Sequence, residues 1–177
     1  MTSPAAPDTP ATRKVKAALD AAGMSARLVA LAETARSAEE AASSLKVDVA
    51  AIVKTLIFDL VPSAGPLQGQ PMPVAVLISG DRRCDMAAVV RVLGLGGKIS
   101  RPDATRVKDV TGYSIGGVSP AGLPEEVVVL IDSALSRSET VWAAAGHTHL
   151  VFGCSFAELE RLTGGRVTGE ISMPASS

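Results

Sequence analysis

The run Ile52–Leu60 limits the possible folds more than any other segment of the chain. It is rich in β-branched and apolar residues and reads as a strand. Alternation puts Ile52, Lys54, Leu56, Phe58 and Leu60 on one face and Val53, Thr55, Ile57 and Asp59 on the other. Both faces are mostly apolar, so the strand needs cover on both sides. A lysine in the middle of such a strand must reach the rim for water, pair with an acid, or face a pocket.

The segments around it set the fold class. A helix is predicted after Pro10, with Val15, Ala18, Leu19 and Ala22 at helical spacing and Gly23 to end it. A short strand is expected around Arg27–Leu31. Ser37 and Glu40 form a capping box for a helix over Ala38–Leu45, and Asp48 starts a further turn. The Pro-, Gly-, Ser- and Gln-rich stretch Pro62–Pro73 links Ile52–Leu60 to a second strand, Val74–Ser79. Asp85 and Asp103 cap two helices that end at Gly94 and Gly112. An irregular loop, Tyr113–Pro124, leads to strands at Glu126–Asp132, Thr140–Ala145 and Leu150–Phe152. Ser155 and Glu158 cap a last helix closed by Gly164–Gly165. Strands and helices do not alternate regularly, which predicts an α+β fold with a mainly antiparallel or mixed sheet. There is no internal repeat and no dividing linker. The expected organisation is one domain over residues 11–170 with a flexible tail at 1–10 and a second tail at 171–177.

Composition narrows the classes further. Aromatic residues are only 3% of the 177, so the core must be built from Ala, Val, Leu and Ile. Cys84 and Cys154 are too few and too far apart for a disulfide framework or a zinc site, and suit reduced thiols in a cytoplasmic protein. The N-terminus lacks the basic and apolar regions of a signal peptide, and no apolar run reaches membrane-spanning length. A net charge of −1 speaks against wrapping long nucleic acid such as DNA. Any such contact is expected to be local. One candidate patch includes Arg82, Arg83, Arg91, Lys98, Arg101, Arg106 and Lys108, although four aspartates interrupt it.

Two features could carry chemistry. Lys54 could hold a phosphate or a carbonyl oxygen. The loop Gly112–Gly122 holds four glycines and a proline, and its free amides could bind an oxyanion, although glycine-rich loops also serve as plain turns. Two apparent motifs fail. Gly94–Lys98 lacks the first glycine and the final hydroxyl of a phosphate loop and fits a helix end better. His147 and His149 share a strand face but have no acidic or cysteine partner at metal-ligand spacing, so no metal site is expected.

Ile52-Val53-Lys54-Thr55-Leu56, then Gly80-Asp81-Arg82-Arg83, then Gly112-Tyr113 with Gly116-Gly117-Val118-Ser119-Pro120-Ala121-Gly122 resemble the YbaK / prolyl-tRNA-synthetase-associated editing family. The similarity runs from about Pro10 to Arg166. It implies a compact α+β domain around a mixed, barrel-like sheet flanked by helices. It implies hydrolysis of the ester of mischarged aminoacyl-tRNA, without cofactor or metal. The implied partners are the tRNA acceptor end and an aminoacyl-tRNA synthetase. Lys54 falls on the family's lysine and Gly112–Gly122 on its glycine-rich loop.

The implied catalytic set is Lys54, Gly116, Gly117 and Ser119, with amides from Gly116 to Ser119 as an oxyanion hole. Beyond what the resemblance implies, Tyr113, Pro120, Gly146 and His149 are expected to contact the substrate, with Tyr113 and His149 shaping the amino-acid pocket. Water or a substrate group would be the nucleophile, since no Ser-His-Asp or Cys-His arrangement is apparent. The subgroup that removes cysteine from tRNA for proline has a Ser-Ala-Gly near the end, followed by Arg-Gly. Here the stretch is Ala144-Ala145-Gly146-His147-Thr148-His149, so the substrate does not carry over. Two other functions stay open: a non-catalytic module binding tRNA ends or a synthetase, and a hydrolase of small esters.

Overall fold

The computed structural model describes residues 5–24 and 27–175. Helix α1 (Pro10–Ala21) starts on a proline and is capped by Thr9, whose side chain trades hydrogen bonds with Thr12. It buries Val15 and Leu19 completely. Strand β1 (Leu28–Ala30) lies within the predicted segment. Helix α2 (Ala38–Leu45) is capped by Ser37, which accepts from Glu40 N–H. The expected reciprocal bond is replaced: the Glu40 carboxylate accepts from Arg36 N–H at 2.7 Å. A 3-10 turn follows at Val49–Ala51, capped by Asp48.

Strands β2 (Val53–Val61), β3 (Met72–Ser79), β4 (Arg82–Cys84) and β5 (Lys98–Ser100) enclose helix α3 (Met86–Leu93) in sequence. Helix α4 (Ala104–Thr111) precedes the glycine-rich loop. Strand β6 (Val128–Asp132) leads through a 3-10 turn at Ser133–Arg137 to β7 (Val141–His147) and β8 (Leu150–Cys154). Helix α5 (Phe156–Thr163) is followed by β9 (Arg166–Thr168) and β10 (Ser172–Pro174). The helix ends follow the predicted chemistry: Asp85, Asp103 and Ser155 cap α3, α4 and α5, and left-handed Gly94, Gly112 and Gly164 close them.

The strands form three sheets rather than one closed barrel: β5-β2-β3-β6-β9, β1-β8-β7 and β10-β4. The five-stranded sheet is mixed, with β2 antiparallel to β3 and β5, and β6 parallel to β3 and β9. The remaining pairs are antiparallel.

The two faces of β2 serve different cores. Val53 and Ile57 join the main core with Val15, Leu19, Leu77, Ile131 and Phe152. Phe58 and Leu60 join a second core with Val76, Ile78 and Val89. Ile171 is fully buried in this second core, and Ser172–Pro174 pairs with β4. The C-terminal segment read as a tail thus contributes a strand, because its alternation is too short to show in the sequence. Pro10, placed in the N-terminal tail, is the first helical residue. Residues 1–4 and 176–177 of the two tails lie outside the described residues.

Candidate active site

Strand β2 is paired with β3 along its whole middle, but its other edge meets β5 only from Asp59. Over residues 53–58 that edge has no strand neighbour among the described residues. A single parallel bridge, Ile52 to Trp142, joins the start of β2 to β7, after which the two strands part. The gap is a cavity of about 390 Å³, within the usual size of small-molecule sites. One side is β2, with Val53, Lys54, Thr55, Leu56 and Ile57. Facing it are Trp142, Ala144, His147, Leu150 and Val151 from β7 and β8. Ile115, Gly116 and Val118 come from the glycine-rich loop, and Arg36 and Arg101 from the flanks.

Lys54 is half-buried, and its ammonium donates to the carbonyl of Arg82. Burial pushes its pKa below the ordinary lysine value, while the carboxylates of Glu39 and Asp81 act the other way. The neighbouring Thr55 hydroxyl is buried and has no hydrogen-bond partner among the described residues. His147 Nδ1 accepts from His149 N–H at 3.1 Å, so the neutral ring carries its proton on Nε2.

The glycine-rich loop enters through a tight turn. Gly117 N–H donates to Ser114 C=O at 3.0 Å, and Gly116 sits between them at φ +93°. The Gly117 amide is therefore spent on the turn and is not available to a substrate oxygen. A Cβ on Gly117 would lie 3.0 Å from His147 N, so the loop packs hard against β7. Among the described residues, the amides of Gly116 and Val118 engage no acceptor in the chain.

Several residues expected at the site lie elsewhere. Ser119 is 0% exposed and does not line the cavity; its hydroxyl accepts from Ala121 N–H at 3.1 Å, which shapes the loop. Tyr113 is 0% exposed; its hydroxyl donates to Ala121 C=O at 2.5 Å, and the Lys14 ammonium lies 4.7 Å from its ring centre. Pro120 faces a different groove, between α1 and α5. Gly146, at φ +88°, forms the bulge of β7, where a Cβ would sit 2.9 Å from Ala11 C=O. His149 shares a 2.6 Å hydrogen bond with Thr34 instead of lining the cavity; His147 lines it.

The cavity thus keeps Lys54 and Gly116 from the expected set and adds Thr55, His147, Arg36 and Arg101. Of these, Thr55 carried a signal in the run Ile52–Leu56, Arg101 in the basic patch and His147 in the histidine pair. That patch itself divides: Arg106 pairs with Asp59 through two 3.0 Å bonds, and Arg82 turns inward to Ser172.

The sequence profile of the aminoacyl-tRNA editing domain matches residues 32–162. YwhH of Bacillus subtilis (strain 168) is 28% identical over 130 residues, 73% of this chain and 76% of that protein. A proline–tRNA ligase of Thermoanaerobacter sp. (strain X514) is 28% identical over 114 residues, 64% of this chain but 18% of the ligase. A crystal structure described as a proposed trans-editing enzyme for prolyl tRNA synthetase superposes with a TM-score of 0.80 at 31% identity. The match covers 94% of this chain and 99% of that one.

Proposed function

The chain belongs to the aminoacyl-tRNA editing domain family, and we propose that it hydrolyses the ester joining a wrongly attached amino acid to the terminal ribose of tRNA. The observation that carries this reading is that Lys54 lines one cavity with Gly116 and Val118, whose amides engage no acceptor among the described residues. Water adds to the ester carbonyl. The tetrahedral oxygen gathers negative charge, which the two amides stabilise; one such donor is typically worth about 3–4 kcal/mol. Collapse breaks the bond to the ribose oxygen, which takes up the proton that the attacking water gave up, and frees the amino acid. Lys54 holds the terminal phosphate or ribose and so fixes the ester against the loop.

The walls on the β7–β8 side are apolar apart from His147 and Thr148, which suits an uncharged amino-acid side chain. Arg36 and Arg101 also line the cavity, and their fixed charges suit the phosphates of a tRNA end bound there. Kinship with a segment of proline–tRNA ligases supports tRNA as the substrate and a synthetase as a working partner.

A panel of mischarged tRNAs tests the reading. The wild-type protein should release amino acid from at least one, and a folded Lys54→Ala variant should do so far more slowly, at a residual rate that can still be measured. Binding of tRNA without release would make the protein a binding module. Equal hydrolysis of free aminoacyl esters and aminoacyl-tRNA would make it a small-ester hydrolase.

A further inference from the structure

Lys54 is held by a backbone carbonyl, that of Arg82, and this carbonyl belongs to an unusually dependent strand. β4 has three residues, and among the described residues its only strand partner is β10. β10 grips it at both ends: Asp85 N–H donates to Ile171 C=O at 2.8 Å, and Ala175 N–H donates to Asp81 C=O at 3.1 Å.

The centre of this pairing is a charged cluster. The Asp132 carboxylate is 1% exposed and must be satisfied internally. It accepts from Ala134 N–H at 3.0 Å and from the Ser172 hydroxyl, with Arg82 Nε 3.5 Å away. The Ser172 hydroxyl in turn accepts from Arg82 Nε at 2.6 Å, and the Ser172 carbonyl accepts from the same guanidinium at 3.0 Å. Ser172 therefore stands between a buried acid and the residue whose backbone holds Lys54. β10 also lies beyond the stretch matched by the editing-domain profile.

We propose that Ser172 is a positioning residue: with Asp132 it clamps Arg82 so that the Arg82 carbonyl keeps the Lys54 ammonium at the cavity wall. This rests on the deacylase reading of the site, but the clamp has its own readout. Trace acetylation with acetic anhydride, mapped by mass spectrometry, reports how freely each lysine amine reacts, and exposed Lys16 serves as reference.

In Ser172→Ala, Lys54 should acetylate several-fold faster relative to Lys16. Deacylation kcat/KM should fall about tenfold, the loss expected for one hydrogen bond involving charged groups. Ser172→Thr, which keeps the hydroxyl, should restore both. In a Lys54→Ala background, Ser172→Ala should cost nothing more, because the two act through one group. A folded Ser172→Ala protein with wild-type labelling of Lys54, or an additive loss in the Lys54→Ala background, overturns the proposal. If Ser172→Ala does not fold, Arg82→Met removes the clamped guanidinium and keeps the carbonyl; unchanged labelling there overturns it equally. A wild-type protein that deacylates no tRNA defeats the enzymatic reading, while the labelling still decides whether the clamp exists.

Discussion

At the scale of single residues, Lys54 differs from a surface lysine in how tightly it keeps its proton. Burial lowers its pKa, so activity should fade on the alkaline side before an ordinary lysine would titrate. A pH–rate profile checks this. In Lys54→Arg any remaining activity should lose that alkaline limb, because guanidinium does not deprotonate there. The same shift fixes a sign for stability. The unfolded chain holds the proton up to the model-peptide range near 10.5, the folded one to a lower pH, so stability should rise with pH across that window. Thr55 sets up an opposite pairing of effects. Its buried hydroxyl lacks a partner among the described residues, so Thr55→Val should raise stability by about 1 kcal/mol in thermal melts while lowering turnover. Lys54 was legible in the sequence because its oddity is local, a cation inside an apolar alternation. Arg36 was not, because what assigns it is a gap between two sheets, and the same gap rather than any spacing selects His147 over His149. Ser119, Tyr113 and Gly146 carried the right composition for a site, yet that composition builds the loop and the bulge behind it.

At the scale of elements, the helices were legible because their caps are written in residues three apart, as in Ser155 with Glu158. The strands β4, β5, β9 and β10 were not, since three residues hold too little alternation to mark a period. The irregularity in β7 shows how an element serves the site. Its bulge at Gly146 swings His147 toward the cavity and lets α1 approach closely. Gly146→Ala places a side chain at positive φ against the Ala11 backbone. It should destabilise the protein by about 1–3 kcal/mol in denaturant titration.

At the scale of the whole molecule, charge is balanced overall, and Arg36, Arg101 and Lys54 all line one cavity. Binding to tRNA should therefore depend on few phosphates. Arg101→Ala should lower the slope of log affinity against log salt by about 1 while leaving the melting temperature unchanged. Acid should loosen the fold through two carboxylates. Arg137 holds Asp81 below the usual carboxylate range, and the Ser155 amide with Arg27 does the same for Glu158. Their contribution is present above the unfolded-state values and is lost as the pH falls below about 4. Asp81→Asn with Glu158→Gln should flatten the acid side of a melting-temperature profile. The fold class was legible because it depends on the order of long segments; the division into three sheets depends on contacts between distant short ones. The pairing of β4 with β10 is the extreme case, joining Arg82 to a residue 90 positions later. During synthesis, the stretch carrying Lys54 leaves the ribosome long before the strand that steadies its anchor. A nascent chain can assemble most of its cavity on the ribosome and still wait, unfinished, for β10 to emerge.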